Sequence, residues 1–403
     1  MSSSSSSSPS FYKSHACFIV HGLSATREDM RFVADAIKKE RGDDVDIILS
    51  KANEGVLYSL FTTTTGVASG GALLAQEVID FLYLNTHINR ISFIAHSNGG
   101  NYVRYAVKII HEKLQEKVEF VNYISFATPH VGVKNFVGNF LNLGLHYVID
   151  GFLQFGLLGQ TGRDMITTND DEQTGVLNRL CYDTLFVNAM KRFKNRTILA
   201  ANSELLVPFV SAALVESVSR LEELVKEGIV KRHYSKYTSE SNEFESTNNK
   251  PELNTLKDDK EFSVLSAPIN DYSTIKSEFP NIRAVYTQSN KNKLSGLIFI
   301  GDDETTSDYT KNISWWESRS GLFGHYGKPD TNLNENRISL PPIEAKLVNK
   351  LRTDMSWTTV IVDFDELPAG PIMAHWRIVV SRPYITPVGA DIPLFASKHC
   401  FIP

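Results

Sequence analysis

The residues best placed to do chemistry lie between Arg90 and Gly100, where the chain reads Arg-Ile-Ser-Phe-Ile-Ala-His-Ser-Asn-Gly-Gly. Ile91 to Ala95 form an apolar run of the length of a buried strand, and from Asn101 the residues Tyr102, Ala106, Ile109, Ile110 and Leu114 recur at helical spacing. Ser97 therefore stands at the apex of a strand-to-helix corner. Ala95, Gly99 and Gly100 are small enough for the sharply bent backbone that such a corner requires. The pentapeptide alone would arise by chance in roughly one chain of this length in four, so its weight comes from the strand before it and the helix after it. A serine hydroxyl is a poor nucleophile at neutral pH. Acyl transfer from it needs a histidine base, an acid to orient that base, and N–H donors for the oxyanion. Val20-His21-Gly22-Leu23 ends an earlier apolar strand in a glycine turn, and the backbone amides of Leu23 and Asn98 are the candidate oxyanion donors. His21 is read as a residue that fixes this loop, with the role of base as its alternative.

The elements that must position these groups follow a regular pattern. Ala16–Val20, Val45–Ser50, the strand before Ser97, Val121–Ala127 and Arg196–Ala201 read as short apolar strands. Helices are expected over Glu28–Glu40, Ala72–Leu84 and the stretch after Ser97. The alternation implies an α/β fold with a mostly parallel sheet flanked by helices, and ligands at the carboxyl ends of its strands. Further on, a helix is expected from Ser211 to about Val230, another from Ile343 to about Arg352, and strands at Leu297–Ile300, Trp357–Val362 and Trp376–Val380. The helix after Ser211 is read as packing on the domain, with a membrane-surface role as the alternative.

Three segments break the pattern. Residues 1–14 begin as a serine tract too polar to fold and read as a disordered tail, so the domain proper is 15–403. Phe136–Leu158 crowds large apolar residues around four glycines, with Asp150 its one formal charge; it reads as a mobile apolar cap opening a cap region 136–190, with ordinary core packing as the alternative. Residues 236–340 begin with a stretch dense in Ser, Thr, Asn, Glu and Lys and read as an insertion of unknown role.

Composition narrows the function classes. With 403 residues, 42% of them hydrophobic, the chain can bury a sizeable core. A net charge of -5 from 41 basic and 46 acidic residues, without a polybasic block, argues against nucleic acid and against electrostatic attachment to anionic lipid. Lipid contact would have to be apolar. Cys17, Cys181 and Cys400 are odd in number and far apart, so they read as reduced, buried thiols rather than a disulfide framework or a metal site. Without a signal peptide at its start, the chain is expected to be intracellular, and neither metal nor cofactor is expected. Asn195-Arg-Thr and Asn312-Ile-Ser are taken as chance glycosylation patterns, and Cys400-Phe-Ile-Pro as a poor prenylation box.

Several stretches together resemble one family. They are Phe18-Ile-Val-His-Gly-Leu with Asp29 downstream, Ser50-Lys-Ala-Asn-Glu, Ile94-Ala-His-Ser-Asn-Gly-Gly-Asn-Tyr-Val-Arg-Tyr-Ala and Ala127-Thr-Pro-His-Val-Gly. Shorter matches follow at Thr161-Gly-Arg-Asp, Met190-Lys-Arg-Phe-Lys, Val207-Pro-Phe and Ala374-His375. The pattern resembles the intracellular serine esterases of the α/β-hydrolase superfamily, which include fungal lipid-droplet phospholipases. That resemblance implies an α/β-hydrolase fold and hydrolysis of lipid carboxylic esters, with reversible contact at membranes or lipid droplets. The family has Gly where Ala95 stands and Leu where Asn98 stands. Its acid lies three residues before the Val-Pro pair, which here is Glu204 in place of the usual Asp. His375 is then the base, and Ser97, Glu204 and His375 follow the chain order nucleophile, acid, base of this fold. Asp164 and Asp183 compete for the acid. His96 is read as pointing away at the bent corner, and His130, His233, His325 and His399 as lacking the right setting. A second reading is a catalytically silent hydrolase fold that binds lipid or a protein partner.

Overall fold

The computed structural model describes residues 13–54, 65–133, 159–165, 175–201, 204, 206–215, 278–288, 294–299, 340, 342–362, 364, 370–381 and 388–403. Its strands are β1 (His15–Val20), β2 (Val45–Leu49), β3 (Arg90–His96), β4 (Glu119–Phe126), β5 (Asn195–Ala201), β6 (Ile282–Gln288), β7 (Leu294–Phe299) and β8 (Trp357–Val362). They form one sheet in the order β2-β1-β3-β4-β5-β8-β6-β7. The first six positions are mutually parallel, while β6 runs antiparallel to both β8 and β7. This is a mostly parallel α/β sheet with an antiparallel pair at one edge. The chain leaves β1 toward β2 on one side and returns to β3 on the other, so the sheet's switch point opens between the carboxyl ends of β1 and β3.

Strand periodicity divides the core in two. In β1, Ala16, Phe18 and Val20 face one layer, and Cys17 and Ile19 face the other. The first layer is built by the helices α2 (Val67–Leu84), α3 (Gly99–Leu114), α5 (Val176–Tyr182), α6 (Thr184–Lys191), α7 (Phe209–Ala212) and α8 (Pro342–Asp354). Between α3 and α5 lies the short α4 (Gly159–Met165). The second layer is built by α1 (Arg31–Arg41), α9 (Gly370–Arg377) and α10 (Asp391–Phe395). Phe18 stacks on Phe93 and meets Phe81 edge-on, with ring centroids 5.7 and 5.3 Å apart, which locks α2 onto β1 and β3. α2 is long and apolar enough to cross a membrane, yet Leu74, Ala75, Val78, Ile79 and Leu82 lie in the core.

Four expectations need correction. The apolar run Trp376–Val380 is not a strand: α9 carries the chain to Arg377, and Ile378, Val379 and Val380 are a buried turn. The place beside β8 that such a strand would take is filled by β6, and Pro371 in the first turn of α9 favours the helix. Of the helix expected from Ser211 to about Val230, residues 216–230 lie outside the described residues; at its start a helical turn, Phe209–Ala212, follows Pro208 and the chain leaves the helical path at Leu214, whose φ is +52. Residues 236–340 are not wholly an insertion, since β6 and β7 belong to the sheet, and the strand expected at Leu297–Ile300 is β7, Leu294–Phe299. The helix expected over Glu28–Glu40 opens with a 3₁₀ turn, Arg27–Met30, before α1. The tail before Lys13, the apolar stretch Phe136–Leu158 and the polar stretch 236–260 lie outside the described residues. Of the region 136–190, α5 and α6 pack through Leu177, Leu180, Phe186 and Val187 into the first core layer.

A buried guanidinium closes that layer. Arg352 of α8 donates to the carbonyls of Ala213 and Leu214 at 2.7 and 2.9 Å and to Thr359 Oγ1 at 2.9 Å, and it lies over the Tyr286 ring. Replacing Arg352 with Ala strands these acceptors in the core and is expected to cost about 3 kcal/mol. The check is a denaturant midpoint measured beside the wild type, with Arg352→Lys recovering only part of the loss because an ammonium cannot reproduce the fork.

Candidate active site

Ser97 joins β3 to α3 in the left-handed region, with φ +54. Its N–H donates to Phe126 O at 2.8 Å, and its carbonyl accepts from Thr128 Oγ1 at 2.8 Å, so β4 and the turn after it hold the corner on both sides. The first turn of α3 runs against the end of β1: a Cβ on Gly99 would lie 2.5 Å from His21 O. The loop after β1 is equally close to the serine. A Cβ on Gly22 would lie 2.6 Å from Ser97 Cβ and 3.1 Å from its Oγ. Leu23 follows at once, and among the described residues neither its backbone N–H nor that of Asn98 has an acceptor.

His375, in the last turn of α9, donates from Nδ1 to Glu204 Oε1. Glu204 follows the carboxyl end of β5, and its side chain is 1% exposed against 9% for His375. With Nδ1 committed to the carboxylate, Nε2 is the nitrogen left to exchange a proton. The structure thus brings Glu204 and His375 together, and Gly22 against Ser97. What links the two pairs is His96, which directly precedes Ser97. Its Nε2–H donates to the His375 carbonyl at 2.8 Å, and the two rings lie 4.5 Å apart between centroids. His96, read as pointing elsewhere than the serine, is directed at His375; its adjacency to Ser97 was the signal that could have found it.

The other candidates are engaged elsewhere. His21 donates from Nδ1 to Gly22 O at 3.1 Å, and burial holds its imidazole below the ordinary histidine value, while that carbonyl and the charges of Glu54 and Asp29 act the other way. Asp164 accepts from Val67 N at 2.8 Å at the head of α2, and Asp183 caps α6 by accepting from Leu185 N at 2.9 Å. His130 packs between Tyr123 and Trp357, with Nε2 3.2 Å from Ser125 Oγ, and His399 packs against Phe279 and Phe395. His233 and His325 lie outside the described residues. Among the described residues no three His, Cys, Asp or Glu side chains gather as a metal site. Cys17, Cys181 and Cys400 are free, buried thiols.

Residues 11–217, just over half of the chain, match the family model described as "Putative serine esterase (DUF676)". The chain belongs to that family. Two relatives of this chain come from Saccharomyces cerevisiae: "Putative lipase YDL109C", 29% identical over 208 residues, and "Putative lipase ROG1", 30% identical over 209. Each match covers 50% of this chain but only 30% and 29% of the relative, so the chain spans less than a third of the length of these curated relatives. Among solved structures, phospholipase PlaB from Legionella pneumophila is similar at 15% identity and a TM-score of 0.31, over 51% of this chain and 43% of that one.

The contact between Gly22 and Ser97 leaves no room for a side chain. Gly22→Ala is expected to push the Leu23 loop off the serine while the core stays folded. Loss of one oxyanion donor costs about 10²- to 10³-fold in kcat. Ester hydrolysis and a thermal melt on the same preparation would separate that defect from unfolding.

Proposed function

We propose that this protein is a serine hydrolase that cleaves the carboxylic esters of lipids through an acyl-enzyme. The observation that carries the reading is the buried hydrogen bond from His375 to Glu204; His375 also accepts at its carbonyl from His96, the residue before the left-handed Ser97. Ser97 Oγ attacks the acyl carbonyl as His375 Nε2 takes its proton; Glu204 holds the imidazole in the tautomer with Nδ1 protonated and balances the imidazolium. The amides of Leu23 and Asn98 receive the charge on the former carbonyl oxygen. His375 then returns the proton to the leaving alcohol, and water repeats the sequence to release the acid. The lipid side of the reading is supported by family membership and by the lipase names of the yeast relatives. The reduced, buried thiols are in keeping with an intracellular enzyme working at membranes or lipid droplets.

Fluorophosphonate labelling of wild type and Ser97→Ala tests the nucleophile: label is expected on the wild type alone, and equal labelling would leave a silent fold that binds lipid or protein. Glu204→Gln is expected to fold and to lose on the order of 10⁴-fold in kcat, with Asp183→Asn near wild type. A fully active Glu204→Gln would remove the glutamate from the mechanism.

Lipid adsorption is assigned to the apolar stretch Phe136–Leu158. Five side chains there, Phe152, Leu153, Phe155, Leu157 and Leu158, would contribute roughly 4 to 7 kcal/mol if half of their burial value came from lipid. Making them polar should abolish flotation with liposomes or emulsion droplets and spare hydrolysis of a short soluble ester. Unchanged flotation would return the segment to the protein core.

A further inference from the structure

We propose that His96 is a positioning residue for the base: its Nε2–H pins the main-chain carbonyl of His375, and its ring backs the His375 imidazole. The inference rests on the reading of His375 as the base. A carbonyl oxygen can only accept, so the 2.8 Å bond places a proton on His96 Nε2. The ring centroids are 4.5 Å apart with 44° between the planes, so the same side chain also limits the tilt of the neighbouring imidazole. His96 is the last residue of β3 and is covalently joined to Ser97, whereas His375 arrives on a helix of eight residues from the far end of the chain. Glu204 anchors the imidazole at Nδ1, while the main chain that carries it is held separately, through the His375 carbonyl. The second anchor comes from the strand that carries the nucleophile. Nucleophile and base are thereby referred to one piece of backbone.

The charge state of His96 suits this task. The ionisable groups facing it are His375 on α9 and His21 at the end of β1, with Glu204 beyond His375. Burial first, then the charge of His375, hold the His96 imidazole well below the ordinary histidine range, and His21 acts the same way. A neutral His96 adds no second cation beside the imidazolium that forms in each half-reaction.

Gln and Met are close in length and volume, but only Gln can donate to the His375 carbonyl. We would compare His96→Gln, His96→Met and His375→Ala in the full chain by thermal melt, by kcat and KM on p-nitrophenyl butyrate, and by the second-order rate of fluorophosphonate labelling. A misplacement of about 1 Å can cost on the order of 10²-fold in rate. His96→Met is therefore expected to lose roughly 30- to 100-fold in kcat and in labelling rate, with KM within about twofold of wild type. His96→Gln should recover at least about tenfold of that loss. If His96→Met does not fold, His96→Phe, which keeps a ring without the donor, takes its place against Gln. Folded Met or Phe variants with wild-type kcat and labelling would overturn the inference, and so would a folded Gln variant as slow as they are. Wild-type rates in His375→Ala would overturn the underlying reading of the base, an outcome distinct from the other two.

Discussion

A residue with a Cβ held at φ +54 carries roughly 1–3 kcal/mol of strain, and Ser97 stays there because its surroundings leave it no alternative. Its N–H and carbonyl are both committed to the end of β4 and the turn after it. The first turn of α3 can settle onto the carbonyls of Val20 and His21 only because Gly99 has no side chain. One corner thus locates the ends of β1, β3 and β4 relative to one another. The Leu23 loop inherits its position from that arrangement through Gly22, which touches the serine itself. Small residues cluster here because three backbones converge, and any Cβ in the wrong place would drive them apart.

Several of the charged groups under the site are bonded to a single partner or to carbonyls. Glu204 is almost wholly removed from water, and a carboxylate there is costly without a partner; the Nδ1–H of His375 supplies one. Two deeper cations have no carboxylate beside them among the described bonds. Arg104 donates to the carbonyls of His130 and Leu180, and Arg352 to those of Ala213 and Leu214. Each spans segments distant in the chain, so the loops after β4 and β5 are fastened to the helices that cover the first core layer. The site is supported from beneath by these bonds as much as by apolar packing.

The fold class was legible because its signals are local. Six parallel strands announce themselves as short apolar runs separated by amphipathic helices, and the alternation in β1, with Phe18 to one layer and Ile19 to the other, is the imprint of strand geometry on sequence. Of the antiparallel pair, β7 was legible as the run Leu297–Ile300, but β6 was not. β6 reads Ile-Arg-Ala-Val-Tyr-Thr-Gln, with too little apolar continuity to stand out from the polar residues around it. Ile378-Val-Val, by contrast, has the composition of a strand and is buried, but the neighbouring place in the sheet is already taken by β6. Apolarity records that a segment is buried, not which hydrogen-bond ladder it joins.

The sequence by itself determined the parallel α/β frame, the strand-to-helix corner with Ser97 at its apex, the glycine turn after β1 and a short list of acids and histidines. Those depend on residue type and spacing over a few turns of chain. Only the tertiary structure decided which of the listed groups meet. Glu204 and His375 are 171 residues apart, and His96 and His375 are 279 apart. Asp164 and Asp183 spend their oxygens on nearby helix starts, while His96, at the bent corner, lies against the ring of His375. Such pairings are selected by the packing of whole layers, whose free energy is summed over many contacts and leaves no trace in the residues immediately around either partner.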